Sequence, residues 1–324
     1  MTAAPHDAPP ALEEPVRFDR HAPTVEDLHG AVHRWTPYDA ASLAWPALVE
    51  HLVAVGRTDV PVARLVEGHV DALRIHQQAG TTPVPGSLYA VWASRSHSTG
   101  VRGTLDGEEW VLDGTLRFAS GSGVVERALV PVWTGPDDHV LLDLDVRAWS
   151  FDDTVWHTRA MAPARSHETC LTADRVSATQ VGPVNFYLSR PGFFPGGVAV
   201  AAAWTGGALR VLDLLLGTVP AGRRSDGQSI RIGRIRTELA AMTAVLRQTA
   251  LQLDDGVEDP RLTSTTARAA VANGVRRVLV DVRSVAGPAG LAMDEDLTRA
   301  IDDLFLFVAQ QNEDADALWL GSRQ

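Results

Sequence analysis

The apolar pattern changes its period twice along the chain, and that limits the folds open to it more than any other feature. Up to about Gly80 the apolar residues recur at helical spacing: Leu48, Leu52 and Val55 form one stripe, and Val62, Leu65, Val66, His69, Val70 and Leu73 share one face of the next segment. That second segment has readable ends, with Asp59 before it, Pro61 in its first turn and Gly80 just past it. His69, on an apolar face, reads as a core histidine satisfied by its neighbours. From Val84 the period becomes two. In EEWVLDGTLRFAS the residues Trp110, Leu112, Gly114, Leu116 and Phe118 fall on one side of an extended chain. ALVPVW and HVLLDLDV read as strands around the turn TGPDD, with further turn signals at Asp106-Gly107 and Asp113-Gly114.

After Pro195 the helical period returns. Four long segments, 196–217, 228–254, 263–286 and 296–311, are separated by AGRRSDG, DDGVEDP and AGPAG. Long helices joined by short loops pack as an up-down bundle. The expected fold is therefore α+β, with a disordered arm over residues 1–22 and an N-terminal helical domain over 23–83. A central antiparallel β-barrel over 84–181 and a C-terminal four-helix bundle over 182–324 complete it.

Composition narrows the functional classes. The formal net charge of -11 argues against general nucleic-acid binding, which needs a dominant basic surface. The single cysteine, Cys170, precludes an internal disulfide, fits a reducing cytoplasm and is expected to be a buried, inert thiol. The most apolar stretch, 196–217, carries Arg210 and Asp213, which a bilayer core penalises, so no membrane span is expected. The first residues, MTAAPHDAPPALEEP, lack the basic start and apolar run of a secretory signal, and a cytoplasmic protein is expected.

Four stretches, in order, carry a resemblance: VGRTDVPVARLVEGHVDAL, GEEWVLDGTLRFASGSGVVERALV, VWHTRAMAPARSHETCLTADRV and FPGGVAVAAAWTGGALRVLDLLLG. The second is similar to a barrel signature G-x-W-x-L-N-G-x-K-x-F followed by small residues. The third is similar to the run W-x-x-x-G-M-x-x-x-x-S, and the fourth resembles a helix whose small residues allow close packing. Together they cover about residues 50 to 310, and in this order the chain resembles the acyl-CoA dehydrogenase superfamily, as a shortened and divergent member.

The resemblance implies a bound flavin, FAD, wrapped by two segments. One is WASRSHST, residues 92–99, with Trp92, Ser94, Ser96, Ser98 and Thr99; the other is FASGS, with Phe118, Ser120 and Ser122. Serine hydroxyls and free backbone N–H groups suit the polar edge of the flavin ring. GRRSDGQSIRIGRIR, residues 222–236, holds five arginines in an acidic chain. The resemblance implies that Arg223, Arg224 or Arg231 reaches the FAD pyrophosphate across a subunit interface, as guanidinium groups suit phosphate. The family pattern R-x-Q-F-G is not intact here.

A catalytic glutamate, in Y-E-G-T, would follow the last long helix. Gln310-Gln311-Asn312 stands there instead, which leaves Glu313 and Asp314 as the candidate bases, and residues 190–195, the other family location, contain no carboxylate. Three functions stay open. The first is an FAD-dependent dehydrogenase oxidising a CH–CH bond of an acyl thioester, on CoA or a carrier protein, or of a related carbonyl compound. The second is a reduced-flavin-dependent monooxygenase of the same fold, and the third a non-redox scaffold or binding subunit. A homodimer or homotetramer is implied, with a small-molecule acyl substrate and no nucleic acid or membrane as partner.

Overall fold

The computed structural model describes residues 19–95 and 99–323. Ser96 and Ser98, and the expected arm as far as residue 18, lie outside the described residues. The described chain forms two units. One is largely the sheet (residues 19–43 and 64–196); the other is helical (44–63 and 197–323).

In the sheet unit, α1 (Val25–Trp35) begins on a capping box in which Thr24 and Asp27 each satisfy the other's backbone N–H. The helix α2 (Trp45–Thr58), with proline in its first turn, belongs to the helical unit. Next, α3 (Val60–Ala79) starts where Asp59 Oδ1 accepts the Val62 N–H at 3.0 Å and stops at Gly80, whose φ is 67°. Both ends are the ones its sequence marks. Residues 64–79 of α3 lie in the sheet unit.

Seven strands follow among the described residues: β1 (Tyr89–Val91), β2 (Gly100–Asp106), β3 (Glu109–Ala119), β4 (Arg127–Trp133), β5 (His139–Asp145), β6 (His167–Val176) and β7 (Thr179–Gln180). Their order is β6-β3-β2-β4-β5-β7, with β1 beside β4. The mixed α+β content is as expected, but the sheet is open rather than a closed barrel. The cause is visible at its edges: β6 pairs with β3 and the two-residue β7 with β5, and nothing described joins β6 to β7.

One irregularity positions the candidate site. Both β1 and β2 run parallel to β4 on the same side of it, Val91 opposite Leu129 and Val101 opposite Val132. Ten steps along the first path match three along β4, so the β1–β2 connection has seven residues more than the ladder needs. Leu129 turns its carbonyl toward Trp92, whose N–H donates to it at 3.0 Å. Pro131, two residues on, faces the same interrupted side, which is where a strand tolerates the missing N–H.

Ala72 and Ile75 of α3 close the sheet's core against Tyr89, Leu129, Leu141, Val181 and Phe186. Each large side chain fully buried there contributes about 1.5–3 kcal/mol. A polar network is enclosed with them. The Tyr89 hydroxyl donates to Asp143 Oδ2 at 3.0 Å and Arg127 Nε to Oδ1 at 2.7 Å. His69 accepts the Tyr89 N–H at 3.0 Å, and burial pushes its pKa down to about 4, so it is the neutral core histidine its position suggests.

A short helix, α4 (Phe186–Ser189), ends the sheet unit's chain. In the helical unit, α5 (Gly196–Thr218), α6 (Asp226–Asp255), α7 (Pro260–Met293) and α8 (Glu295–Val308) occupy the four predicted segments. The AGPAG break is a kink at Gly287, φ 62°, before Pro288, and α7 continues past it. A further helix, α9 (Glu313–Gly321), was not predicted. By length and composition α5 is apolar enough to cross a membrane, yet 72% of its most apolar 18-residue window is buried inside the protein. Its Asp213 is paired with Arg57 of α2 at 2.7 and 3.0 Å. The two helices touch through glycines: a Cβ on Gly56 would come within 2.3 Å of the Ala203 carbonyl oxygen.

Cys170 is exposed, contrary to expectation. On β6 the side chains of Thr169 and Leu171 point inward, so the alternation turns Cys170 out beside Thr115 Oγ1 at 3.4 Å.

Candidate functional site

The end of β3 departs from the strand pattern at the predicted FASGS segment. A bulge between Leu116 and Ala119 shifts the register against β6. Phe118 adopts φ 57°, a left-handed conformation costly for a bulky residue, and its side chain is 59% exposed. The expected inward row Trp110, Leu112, Leu116 therefore ends before Phe118, and Ala119 is buried instead.

The turn that follows is locked to residues 161–166. The Gly121 N–H donates to the Ala164 carbonyl at 2.8 Å and the Ser122 N–H to Arg165 O at 3.2 Å. Arg165 Nε donates to Ser122 O at 2.7 Å, and the Ser120 and Ser166 hydroxyls bond each other at 2.8 Å. Met161 and Arg165 are themselves left-handed, at φ 54° and 47°. Three left-handed non-glycine residues on two segments tied by four hydrogen bonds are a concentration of strain of the kind that gathers at ligand sites.

Trp92 is the third part. It is 1% exposed, and its Nε1 donates to the Ser120 carbonyl at 2.9 Å. Its ring meets Phe151 edge-on at 5.6 Å. Ser94 and Thr99 are half-buried on the same connection. The structure thus brings Trp92, Ser120 and Ser122 together, but not as expected. Ser122 is fully buried and its hydroxyl donates to Ala119 O at 2.6 Å, while the Ser120 hydroxyl is taken by Ser166. These serines build the turn rather than offer hydroxyls to a ligand. The outward surface is aromatic: Phe118 meets Trp156 edge-on at 6.4 Å, and Trp156 Nε1 is anchored on Ala160 O at 3.0 Å. Trp156 and Ser166 are the first and last residues of the W-x-x-x-G-M-x-x-x-x-S run, which the sequence marked without assigning either a place in the site.

The arginine-rich stretch lies in the helical unit. Arg223 is exposed, Arg224 Nε donates to Val219 O at 2.8 Å, and Arg231 Nη1 to Gly227 O at 3.2 Å. Each bonded guanidinium uses one of five donors, leaving the rest for another acceptor. Ser225 and Gln228 form a capping box that starts α6 beside them.

Glu313 and Asp314 occupy the exposed first turn of α9, where carboxylates favour the helix N-terminus. The Glu313 side chain is 55% exposed and pairs with Arg276 at 3.3 Å. A base awaiting a carbon acid would be enclosed; neither residue is. The buried side chain here is Gln311, 4% exposed, accepting from Arg276 Nη2 at 2.8 Å and donating to Asp316 Oδ2 at 2.7 Å. Among the described residues no cluster of metal-ligating side chains occurs.

No protein-family model and no curated sequence matches the chain. Solved structures do. Butyryl-CoA dehydrogenase from Megasphaera elsdenii superposes with a TM-score of 0.76 at 14% identity, over 94% of this chain and 89% of that one. XiaF from a Streptomyces species, in complex with FADH2 and glycerol, gives 0.75 at 16% identity over 93% and 88%. The methanesulfinate monooxygenase MsuC from Pseudomonas fluorescens gives 0.73 at 13% identity over 92% and 87%. With nearly the whole of each chain superposed, this protein has the acyl-CoA dehydrogenase fold.

Proposed function

We propose that this chain is a flavin-dependent oxidoreductase that binds FAD at the Phe118–Trp156 surface and acts on an acyl thioester or related carbonyl compound. One observation carries the reading: a strained, hydrogen-bonded turn holds an exposed aromatic ring outward, in a fold whose solved members include an FADH2 complex. A planar, largely apolar ring system covers Phe118 and recovers the cost of exposing it. Trp92 supports the turn from beneath, and Ser94 and Thr99 belong to the connection that follows it. The free donors of Arg223, Arg224 and Arg231 suit a pyrophosphate. In this reading residues 23–83, 84–181 and 182–324 act as the three functional segments of a cytoplasmic homodimer or homotetramer.

A bound flavin supplies a two-electron acceptor. The protein's own task in a dehydrogenase is to remove the proton α to the carbonyl, and Glu313 or Asp314 is the carboxylate available at the family position. Their exposure favours a second reading, a reduced-flavin-dependent monooxygenase, in which no carboxylate is needed there. The test is spectroscopic. Purified protein should show a flavin absorption band or acquire it on titration with FAD. Anaerobic bleaching by an acyl thioester, lost in Glu313→Gln, identifies the dehydrogenase. Oxygen uptake with reduced flavin and no such bleaching identifies the monooxygenase. Protein that takes up no flavin refutes both and leaves a non-redox binding subunit.

A further inference from the structure

Among the described residues of the helical unit, four side chains, Trp204, Ser264, Arg268 and Arg299, bury hydrogen-bond donors that meet no acceptor, and the first three concern one face of α7. Ser264 is 1% exposed and its hydroxyl makes no hydrogen bond; Arg268 leaves its Nε buried and unbonded; Trp204, fully buried in α5, leaves its indole N–H unbonded. Ser264 and Arg268 stand four residues apart on α7, so they share a face. The Arg268 guanidinium carbon is 5.8 Å from the Trp204 ring centroid. Its paired carboxylate, Asp316, is 3.9 Å from Nη1, beyond hydrogen-bonding distance, and is held by Gln311. Native interiors satisfy nearly all such groups, so several orphans in one place ask for an acceptor.

Electrostatics point the same way. The Arg268 stem lies against the first turn of α5, where a Cβ on Gly197 would come within 3.0 Å of its Cδ. The positive end of a helix and a guanidinium repel one another unless an anion lies between them. Burial, moreover, weakens the hold of Arg268 on its proton. The wall beside it is aromatic, with Trp204 edge-on to Phe307 at 6.0 Å.

We propose that this face of α7 is a subsite for a small organic carboxylate with an apolar tail, its oxygens accepting from Arg268 and Ser264 and its tail lying along Trp204. A monoanion fits better than phosphate, because Asp316 at 3.9 Å opposes a second negative charge. This inference concerns the helical unit alone and does not rest on the flavin reading; flavin content measured on the same samples separates the two.

The test is isothermal titration of the full chain with sodium butyrate, against butyramide as the neutral isostere and sodium chloride at equal ionic strength. Saturable binding of butyrate but not butyramide is expected, weakened about tenfold or more by Arg268→Met, since a charge-assisted pair is lost. Ser264→Ala provides the second arm, independent of how Arg268→Met folds. Removing an unbonded hydroxyl should leave the thermal midpoint of the free protein unchanged or higher while weakening butyrate several-fold. Butyrate heats no larger than those of sodium chloride, equal binding by parent and Ser264→Ala, or a lower midpoint in Ser264→Ala would each overturn the assignment.

Discussion

Replacing Gly206 with alanine adds a methyl group where α2 and α5 meet backbone to backbone. An ideal Cβ at 206 comes 2.2 Å from the Val53 carbonyl oxygen, 2.7 Å from Arg57 N and 2.8 Å from Gly56 Cα. Carbon–oxygen contacts settle at about 3.3–3.6 Å, so about 1 Å of overlap has to be relieved. All three obstacles are main-chain atoms, and no rotamer change removes them; the helices have to separate. Overpacking costs about 1–3 kcal/mol, and three backbone obstacles on α2 place this site at the upper end. Alanine returns about 1 kcal/mol of helix propensity, which leaves a net loss of about 2 kcal/mol. At roughly 2–4 °C per kcal/mol for a unit of this size, the thermal midpoint falls by about 4–8 °C. Gly233→Ala is the control: it lies exposed in α6 with no heavy atom within 4 Å of the added methyl, so only propensity acts and stability rises. Urea unfolding followed by circular dichroism, with slopes compared as well as midpoints, measures both. A Gly206→Ala protein as stable as Gly233→Ala would show that the α2–α5 contact yields freely, and the reasoning would fail.

Two further outcomes are expected. Burial pushes the Glu67 carboxyl up to about 7 against the pull of Arg64, which donates to it at 2.6 Å. A folded pKa above the unfolded one means stability that is fully present below about pH 4.5 and lost as pH rises through 7. Glu67→Gln should flatten that slope and raise stability at pH 8 by up to about 3 kcal/mol; an unchanged pH–stability curve would refute it. Phe118→Gly relieves the left-handed backbone at a small entropic cost, so the thermal midpoint should hold or rise by about 1 kcal/mol equivalent while FAD affinity drops. Undiminished FAD affinity in that variant would detach the flavin from this turn.

Much of the fold was legible because its signals are local. Asp59, Pro61 and Gly80 mark the ends of α3, and TGPDD closes β4 onto β5 with Thr134 N–H donating to Asp138 O at 3.0 Å. The four long helices follow from period and from the AGRRSDG and DDGVEDP breaks, whereas AGPAG only kinks α7, which ends at Met293. The candidate site was legible only as a location. Whether Ser120 and Ser122 face a ligand depends on Ser166 and Arg165, more than 40 residues away, and no local pattern encodes that pairing. Phe118 has the right parity for the core, yet the bulge reverses it. Parity likewise turns Cys170 outward, where residue type alone suggested burial. The open sheet was missed because strand count and spacing are the same in an open sheet and a closed barrel. The first turn of α9 reads as a plausible base until Arg276 and Asn312 are seen to account for it.

The interrupted edge of β4 gives the protein a place where length is nearly free to vary. Since β1 and β2 both align on β4 independently, residues added or removed between them leave every rung of the ladder in register. Doubling such a connection costs only about 0.6 kcal/mol in closure entropy. A lineage can therefore explore new molecular preferences here by insertion and deletion, without first acquiring compensating changes in the sheet. Trp92, held beneath by Ser120, marks where that freedom begins.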